Sequence, residues 1–339
     1  MLSFTLKKGR NDITAGASRT QKAAYYALYY LLKAVGLLPA WFLYYPLAGV
    51  CYLLLYYLFR YRLQVTRENL QNAFPEKSRE ELRRIERRFY RHLAEVFIDT
   101  IDLTSISRRQ LRRRMMIKDE AVHRKEVEGK DWIAGMSHYG SWEYFIAYAL
   151  GDGEGRETIG VYKTLHNRVM DMLYRSIRSR MGMEPVPMSV ILRHVVRDRQ
   201  QGIRMGIGLI ADQAPPWFHR DYWYDFLGQP TSFYDGLENM ALRFGMPVYF
   251  VHIDKIRFTA LKQLPDWSKI RGAHYTARFE LIYDGQERVA PHEITKRYAA
   301  KLEAMIRQRP ELWLWSHRRW KHKPTPEELE KQREEECPR

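Results

Sequence analysis

Cysteine is scarce in this chain, with only Cys51 and Cys337 among 339 residues. Two cysteines cannot form a disulfide framework, and they cannot supply a cysteine-based zinc site. We therefore expect a compartment that keeps thiols reduced. Hydrophobic residues make up 45% and charged residues 28% of the chain, which is typical of a globular protein and excludes extensive disorder. The sequence has no internal repeat.

Acidic residues are also in deficit, with 40 Asp and Glu against 56 Lys and Arg, and the formal charge is +16. Such a surplus indicates an anionic partner: nucleic acid, a membrane surface, a phosphorylated lipid or an acidic protein. The surplus lies in the flanks and not in the centre. The net charge is +5 over residues 1–59, +7 over 60–124, zero over 125–295, +7 over 296–323 and −3 over 324–339.

Charge is almost absent from residues 23–59, where Lys33 is the only charged side chain. Residues 40–59 form an uncharged apolar run of about the length that spans a bilayer, and basic residues border it on both sides. The run starts too late and is too long for a cleaved signal peptide. We therefore predict a membrane anchor over residues 1–62. A single span and a re-entrant hairpin divided at Gly36–Pro39 both fit, and a buried hydrophobic helix pair is the third interpretation.

The rest of the chain alternates between helical and strand patterns. Hydrophobic periodicity predicts helices over 64–74, 79–103, 142–150, 167–181, 189–200, 234–244 and 292–308. Short apolar runs predict buried strands at Trp132–Met136, Thr158–Tyr162, Ile207–Ala211, Pro247–Ile253 and Ala277–Tyr283. This alternation predicts an α/β fold in which helices flank a central sheet. We assign that domain to residues 63–323 and a charged tail to 324–339.

A histidine followed five positions later by a carboxylate occurs three times: His123/Glu128, His138/Glu143 and His166/Asp171. About one such pair is expected by chance, so the spacing alone selects none of them. His138 directly follows a predicted buried strand, and the carboxyl ends of strands are where α/β proteins build their sites. Gly140 allows a turn, after which Glu143 in the next helix can reach back to the imidazole. His138 and Glu143 are therefore the predicted catalytic pair.

Polar side chains also follow two other predicted strands. Lys163, with Asn167 one helical turn later, follows TIGVY, and Asp212-Gln213 follows GIGLIA. Each has a plain structural alternative, since Asp212 could cap a helix or turn and Lys163 could be a surface lysine. A His–carboxylate pair suits general-base removal of a proton from a substrate hydroxyl. Ser141 is the rival nucleophile, but it does not lie in a G-x-S-x-G elbow.

Together these residues resemble the lipid A secondary (late) acyltransferases of Gram-negative bacteria, the lauroyl and myristoyl transferase type. The resemblance covers nearly the whole chain after the first 20 or so residues. MSHYGSWE is similar to the family's H-x₄-E/D motif. VTRENLQNAFPEKSREE, VYKTLHNRVMDMLYRSIRSRMG, IADQAP and PELWLWSHRRWK are similar to its other segments. The family usually has Arg where this chain has Lys163, and lysine keeps the charge but loses the planar fork.

The resemblance implies a mixed sheet flanked by helices, of the glycerolipid-acyltransferase type. It implies transfer of a fatty acyl chain, usually from acyl carrier protein, to the 3-hydroxyl of an acyl chain on a lipid A precursor. His138 would be the base and Glu143 its orienting partner, with no metal, other cofactor or covalent acyl-enzyme. Support for the reacting groups or the oxyanion would come from Lys163, Asn167, Asp212 and Gln213. Contacts to lipid phosphates would come from His317, Arg318 and Arg319.

Two other functions fit parts of the sequence. An acyltransferase of the same family could act on another membrane lipid or glycolipid. A membrane-tethered module could bind anionic partners through the surplus charge, but the neutral centre argues against a nucleic-acid surface on the core. The charge layout favours an enzyme bound against an anionic bilayer, and the resemblance implies the cytoplasmic side of a bacterial inner membrane. We expect contacts with anionic lipids, with acyl carrier protein and with a lipid A precursor, and none with nucleic acid.

Overall fold

The computed structural model describes residues 12–151, 156–216, 222–256 and 274–336. Its strands are β1 (Met115–Ile117), β2 (Trp132–Met136), β3 (Arg156–Tyr162), β4 (Met183–Pro187), β5 (Arg204–Ile210), β6 (Tyr224–Phe226), β7 (Gln229–Thr231), β8 (Val248–Lys255) and β9 (Tyr275–Tyr283). Seven of them form one mixed sheet in the order β1-β9-β8-β2-β5-β3-β4, and β6 and β7 form a hairpin. Within the main sheet β9 is antiparallel to β8, whereas β8, β2, β5, β3 and β4 are parallel to one another.

Helices surround the sheet. They are α1 (Arg19–Gly36), α2 (Ala40–Leu58), α3 (Leu63–Ala73), α4 (Arg79–Asp102), α5 (Arg108–Arg114), α6 (Glu120–Glu126), α7 (Arg168–Ser179), α8 (Ile191–Gln200), α9 (Gly236–Phe244), α10 (Glu293–Gln308) and α11 (Pro326–Glu336). A 3₁₀ helix covers Trp142–Gly151. This arrangement confirms the predicted α/β class with a central mixed sheet flanked by helices.

The two faces of the sheet bury different side chains because successive residues of a strand point to opposite sides. On one face, Ile133 of β2 packs in a cluster with residues of β3, β5, α8, α9 and α10. On the other face, Trp132 and Ala134 pack in a cluster with residues of α1, α5, α7 and the 3₁₀ helix. All five residues of β2 are buried. Both faces of the sheet are therefore covered at its centre, and a site can form only at its edges and at the ends of its strands.

Most predicted elements are present with shifts of a few residues, and four of the nine strands were missed. β2 has the predicted bounds, and helix α4 begins at Arg79 after a capping box formed by Ser78 and Glu81. The segment predicted as a helix over 142–150 is a 3₁₀ helix. The missed strands are β1 and β4 in the main sheet and both strands of the β6–β7 hairpin. β4 has the sequence MEPVP and forms the edge of the sheet, where proline is tolerated.

The N-terminal helices pack directly on the sheet domain. α2 is one continuous helix with two π-type turns, and the first of them contains Pro46. Proline lacks an N–H, and the wider turn accommodates its ring. The Tyr44 hydroxyl donates to Asp99 on α4 (2.6 Å) and lies 2.7 Å from the Tyr144 hydroxyl on the 3₁₀ helix. Arg114 donates to both tyrosine hydroxyls and to Asp102, so α2, α4 and α5 meet the 3₁₀ helix in a buried polar network.

Candidate active site

The centre of the site lies where β2 and β5 end. These strands are parallel neighbours, with Met136 opposite Ile210, and each continues for two residues to a polar side chain. His138 and Asp212 therefore arrive side by side, and the imidazole Nδ1 lies 2.7 Å from Asp212 Oδ1. The histidine side chain is 17% exposed and the aspartate side chain 2% exposed. A nearly buried carboxylate thus holds an imidazole that still reaches solvent.

Three donors fix the Asp212 carboxylate. Oδ1 faces the His138 ring, and Oδ2 accepts from the His138 backbone N–H (2.8 Å) and from Trp313 Nε1 (2.9 Å). Burial raises the pKa of Asp212, but the charge of His138 and these hydrogen bonds outweigh burial and hold that pKa below its usual value. The carboxylate is therefore ionised at neutral pH and selects the tautomer with the proton on Nδ1. Nε2 then carries the free lone pair.

The C-terminal segment WLWSHRRW closes the site from one side. Backbone hydrogen bonds join Gly140 N–H to the Leu312 carbonyl (2.9 Å) and Leu314 N–H to the His138 carbonyl (3.1 Å). Gly140 has a φ of +61°, and a Cβ there would lie 2.7 Å from Ile253 Cγ2, so the turn requires glycine. This pairing delivers the Trp313 indole to Asp212. Sequence reasoning placed the segment in the family pattern but did not identify Trp313 as part of the site.

Glu143 has a different partner from the predicted one. Its two carboxylate oxygens accept from Arg178 Nε (3.0 Å) and Nη2 (2.6 Å) on α7, and the imidazole Nδ1 is held by Asp212 instead. The predicted orienting hydrogen bond from Glu143 to His138 is therefore replaced by the one from Asp212. Burial raises the pKa of Glu143, but the charge and hydrogen bonds of Arg178 outweigh burial and lower it, with a smaller contribution from His138. Glu143 is thus an ionised carboxylate near the site, held by an arginine that sequence reasoning missed.

The Glu143–Arg178 pair carries a testable consequence for stability, because its side chains are only 8% and 19% exposed. Arg178→Met leaves the Glu143 carboxylate buried without its counter-charge. We expect the free energy of unfolding to fall by about 3–5 kcal/mol, as for other broken buried ion pairs. Glu143→Gln combined with Arg178→Met removes both charges and should recover most of the loss. Thermal unfolding of the purified protein in detergent measures both effects.

The matched control for this pair is Arg193→Met, which removes an exposed arginine from α8. It should leave the unfolding temperature within the error of wild type. A single Arg178→Met variant that unfolds at the wild-type temperature would show that the pair contributes little to the fold.

The other predicted residues are placed at the same edge of the sheet in different ways. The Gln213 amide nitrogen lies 3.3 Å from His138 Nε2, at the face of the imidazole opposite Asp212. Lys163 is exposed directly after β3, the other neighbour of β5. Asn167 caps α7, and its side-chain oxygen accepts from the N–H groups of Val169 (3.0 Å) and Met170 (3.2 Å). Gln213 therefore contacts the imidazole, and Lys163 lies at the end of the neighbouring strand. The side-chain oxygen of Asn167 is occupied by the hydrogen bonds that cap α7.

The three predicted basic residues near the C-terminus, His317, Arg318 and Arg319, lie in different environments. Arg318 is exposed, whereas Arg319 is 3% exposed, donates to the Ser232 carbonyl (2.6 Å) and lies over the Phe233 ring. Burial lowers the pKa of Arg319 to about 10. Burial also lowers the pKa of His317 to about 4, so this histidine is neutral at pH 7. Arg319 is held by the protein and not presented to a lipid phosphate, which leaves Arg318 as the exposed member of the trio.

Among the described residues, a serine and a cluster of possible metal ligands could suggest nucleophilic or metal chemistry. Ser141 is only 1% exposed, so its hydroxyl is not presented to a substrate as a nucleophile would be. Glu157, His194 and Asp198 bring possible metal-ligand atoms within 4.8 Å of one another, near the start of β3 and so away from His138. Arg197 donates to Asp198 (2.7 Å) and lies 3.0 Å from His194 Nδ1. We interpret this group as an ion-pair cluster in which the guanidinium supplies the positive charge.

Comparison with known proteins agrees with the geometry. His138 and the buried Asp212 lie at the ends of two neighbouring parallel strands, an arrangement that suits an enzyme using general-base catalysis. The family model of bacterial lipid A biosynthesis acyltransferases matches residues 16–322. The chain belongs to this family, which makes it an acyltransferase, and the resemblance read from the sequence is confirmed. A comparison with curated proteins gives no match.

Proposed function

We propose that this protein transfers a fatty acyl chain from acyl carrier protein to the 3-hydroxyl of an acyl chain on a lipid A precursor, with His138 as the general base. The observation that carries the proposal is the polarised imidazole. Ionised Asp212 holds Nδ1, and Nε2 faces the partly exposed side with only the Gln213 amide beside it. A general base needs its free nitrogen on the side where the substrate binds. In the lipid A acyltransferase family, the group that receives the acyl chain is a hydroxyl.

The reaction follows from that arrangement. The acceptor hydroxyl displaces the Gln213 amide and donates its proton to Nε2 as the oxygen attacks the thioester carbonyl carbon. A C–O bond forms and a tetrahedral oxyanion results. When the C–S bond breaks, the imidazolium returns its proton to the thiolate, which leaves as the carrier thiol. Asp212 stabilises the imidazolium throughout, and the step needs no covalent acyl-enzyme.

In this proposal two side chains support the oxyanion. Gln213 already places an amide N–H₂ within 3.3 Å of Nε2, so its amide lies beside the reacting atoms when the hydroxyl takes its place. Lys163 adds a positive charge at the neighbouring strand end. Donors aimed at a developing oxyanion are among the largest contributions to acyl transfer. Asn167 keeps only its amide N–H₂ for such a role, because its oxygen caps α7.

The proposed location is the cytoplasmic face of the bacterial inner membrane, where both substrates are found together. The apolar helix α2 supports membrane attachment, and the basic flanks suit anionic lipids. The acyl carrier is an acidic protein, and α5 presents Arg109 and Arg113 on its exposed side. A basic surface of this kind steers an acidic carrier toward the domain.

Mass spectrometry of lipid A from a strain that lacks this gene tests the acceptor. We expect lipid A with one acyl chain fewer, and restoration by the wild-type gene but not by His138→Ala. Lipid A of unchanged mass would contradict the assignment. A change confined to another membrane glycolipid would instead assign the same chemistry to that acceptor.

A further inference from the structure

Helix α2 has an exposed apolar face along its whole length. Trp41, Tyr45, Val50, Leu53 and Tyr57 recur every three to five residues, Leu58 follows directly, and each of the six is between 48% and 65% exposed. Exposed large apolar side chains of this density mark a contact with lipid or another protein. Tyrosine and tryptophan favour the headgroup region over the hydrocarbon centre. The composition of this set of residues, the exposed stripe of α2, therefore indicates contact with the headgroup region of one membrane leaflet.

The opposite side of α2 is packed antiparallel along α4. Near one end, Tyr44 donates to Asp99 (2.6 Å), and near the other end Tyr56 donates to Glu86 (2.7 Å). These contacts span 12 residues of α2 and 13 of α4, or about 18 and 20 Å at 1.5 Å per residue. The axes of the two helices thus run side by side over this distance, and any tilt of α2 through a bilayer takes α4 with it.

α4 cannot follow α2 through hydrocarbon. Arg87, Arg88 and Arg91 are exposed on α4, and the Arg91 guanidinium lies 5.5 Å from the ring of Tyr52, near the middle of α2. If α2 spanned the bilayer, these guanidinium groups would lie at hydrocarbon depth, where charged side chains are strongly disfavoured. At the level of the headgroups, the same arginines face phosphates.

The segments on both sides of α2 contact one domain. Before α2, the Tyr25 hydroxyl of α1 lies 2.6 Å from Ser176 Oγ on α7. After α2, Arg62 donates to the Ser316 carbonyl (3.1 Å) and Asn69 to the Trp315 carbonyl (2.8 Å). A helix that crossed the membrane once would put these two segments on opposite sides of it. The fold places them on the same side.

We propose that α1 and α2 form an in-plane hairpin that enters one leaflet and does not span the bilayer, with the exposed stripe of α2 toward the acyl chains and the arginines of α4 toward the headgroups. The occupant of this surface is the leaflet that carries the lipid substrate. The proposal rests on the membrane attachment in the proposed function and adds its geometry. Between the two anchors that the sequence left open, it selects a hairpin and sets its depth.

Thiol labelling tests the sidedness. In full-length protein with Cys51→Ala and Cys337→Ala, single cysteines replace exposed Thr20 at the start of α1 and exposed Gln64 at the start of α3, with Arg193→Cys on α8 as the matched control. Sealed membrane vesicles of both orientations are treated with a membrane-impermeant maleimide. We expect all three positions to label from the same face. Labelling of Thr20→Cys from the face opposite to Gln64→Cys would overturn the proposal.

Depth is measured independently with spin labels at Trp41→Cys, Val50→Cys and Leu58→Cys in vesicles of phosphatidylethanolamine and phosphatidylglycerol. An in-plane helix gives three similar, shallow depths from oxygen and nickel relaxation. A spanning helix puts position 50 about 12 Å deeper than position 58, from eight residues at 1.5 Å each. That result would overturn the proposal, as would recovery of the protein outside the membrane fraction. Neither measurement uses transferase activity, so an error in the proposed acceptor leaves the outcome unchanged.

Discussion

His138→Ala is expected to lower the rate of acyl transfer by about 10²–10⁴-fold, the usual contribution of a general base. The substitution removes the nitrogen that accepts the hydroxyl proton. The side chain is 17% exposed and lies at a strand end and not within the hydrophobic core, so the fold should persist. Purified membranes with acyl carrier thioester and lipid A precursor provide the assay, and thermal unfolding of the same preparation checks that the protein is folded.

His166→Ala is the matched control because it starts the same His-x₄-acid spacing. His166 is exposed, and Asp171, the acid of its pair, accepts from the Leu165 N–H instead. Its replacement should leave the rate within about twofold of wild type, in line with a surface substitution. A His138→Ala enzyme with near-native turnover would show that the hydroxyl proton leaves by another route.

Asp212→Asn is expected to cost a similar factor, about 10²–10⁴-fold, although the substituted atom is far more buried than the base. An amide N–H₂ facing Nδ1 favours the tautomer with the proton on Nε2, so the imidazole can no longer accept a proton from the hydroxyl. The imidazolium also loses its counter-charge. Because binding surfaces are unchanged, the loss should appear in kcat with little change in KM for the acyl carrier.

Trp313→Phe provides a graded comparison for Asp212. It removes one of the three donors to the carboxylate and leaves its charge, so we expect a loss of about tenfold, the equivalent of one hydrogen bond. If Asp212→Asn left kcat unchanged, the imidazole would be oriented by another group, and the contact with Nδ1 would have only a structural role.

The sequence was sufficient for most of the fold because its signals are local. The buried runs of β2 and β5, the capping box of α4 and the Gly140 turn each depend on neighbouring residues. β4 was missed for a local reason too. Its prolines and its glutamate do not fit a central strand, and only its place at the sheet edge makes them acceptable.

The site was harder to predict because its contacts join distant parts of the chain. β2 and β5 are neighbours in the sheet although β3 and β4 lie between them in the sequence, so periodicity gives no sign that His138 meets Asp212. Their equal offset of two residues from paired strand ends could have raised that possibility. Arg178 is one of several arginines on or beside α7, and nothing in the sequence marks it as the partner of Glu143. Local reasoning expected Glu143 to orient the His138 imidazole, whereas Asp212 contacts Nδ1 and Glu143 pairs with Arg178.

The buried network around Tyr44 has a consequence for how the chain can be divided. Tyr44 joins Asp99 and Arg114 from the N-terminal side, and Tyr144 joins the same network six residues after His138. A chain shortened at residue 62 would lose one hydroxyl from this network and bare the side of α4 that α2 covers. Helix α2 is therefore a structural support of the sheet domain. Solubilising the protein by truncation would alter the supports of its active site.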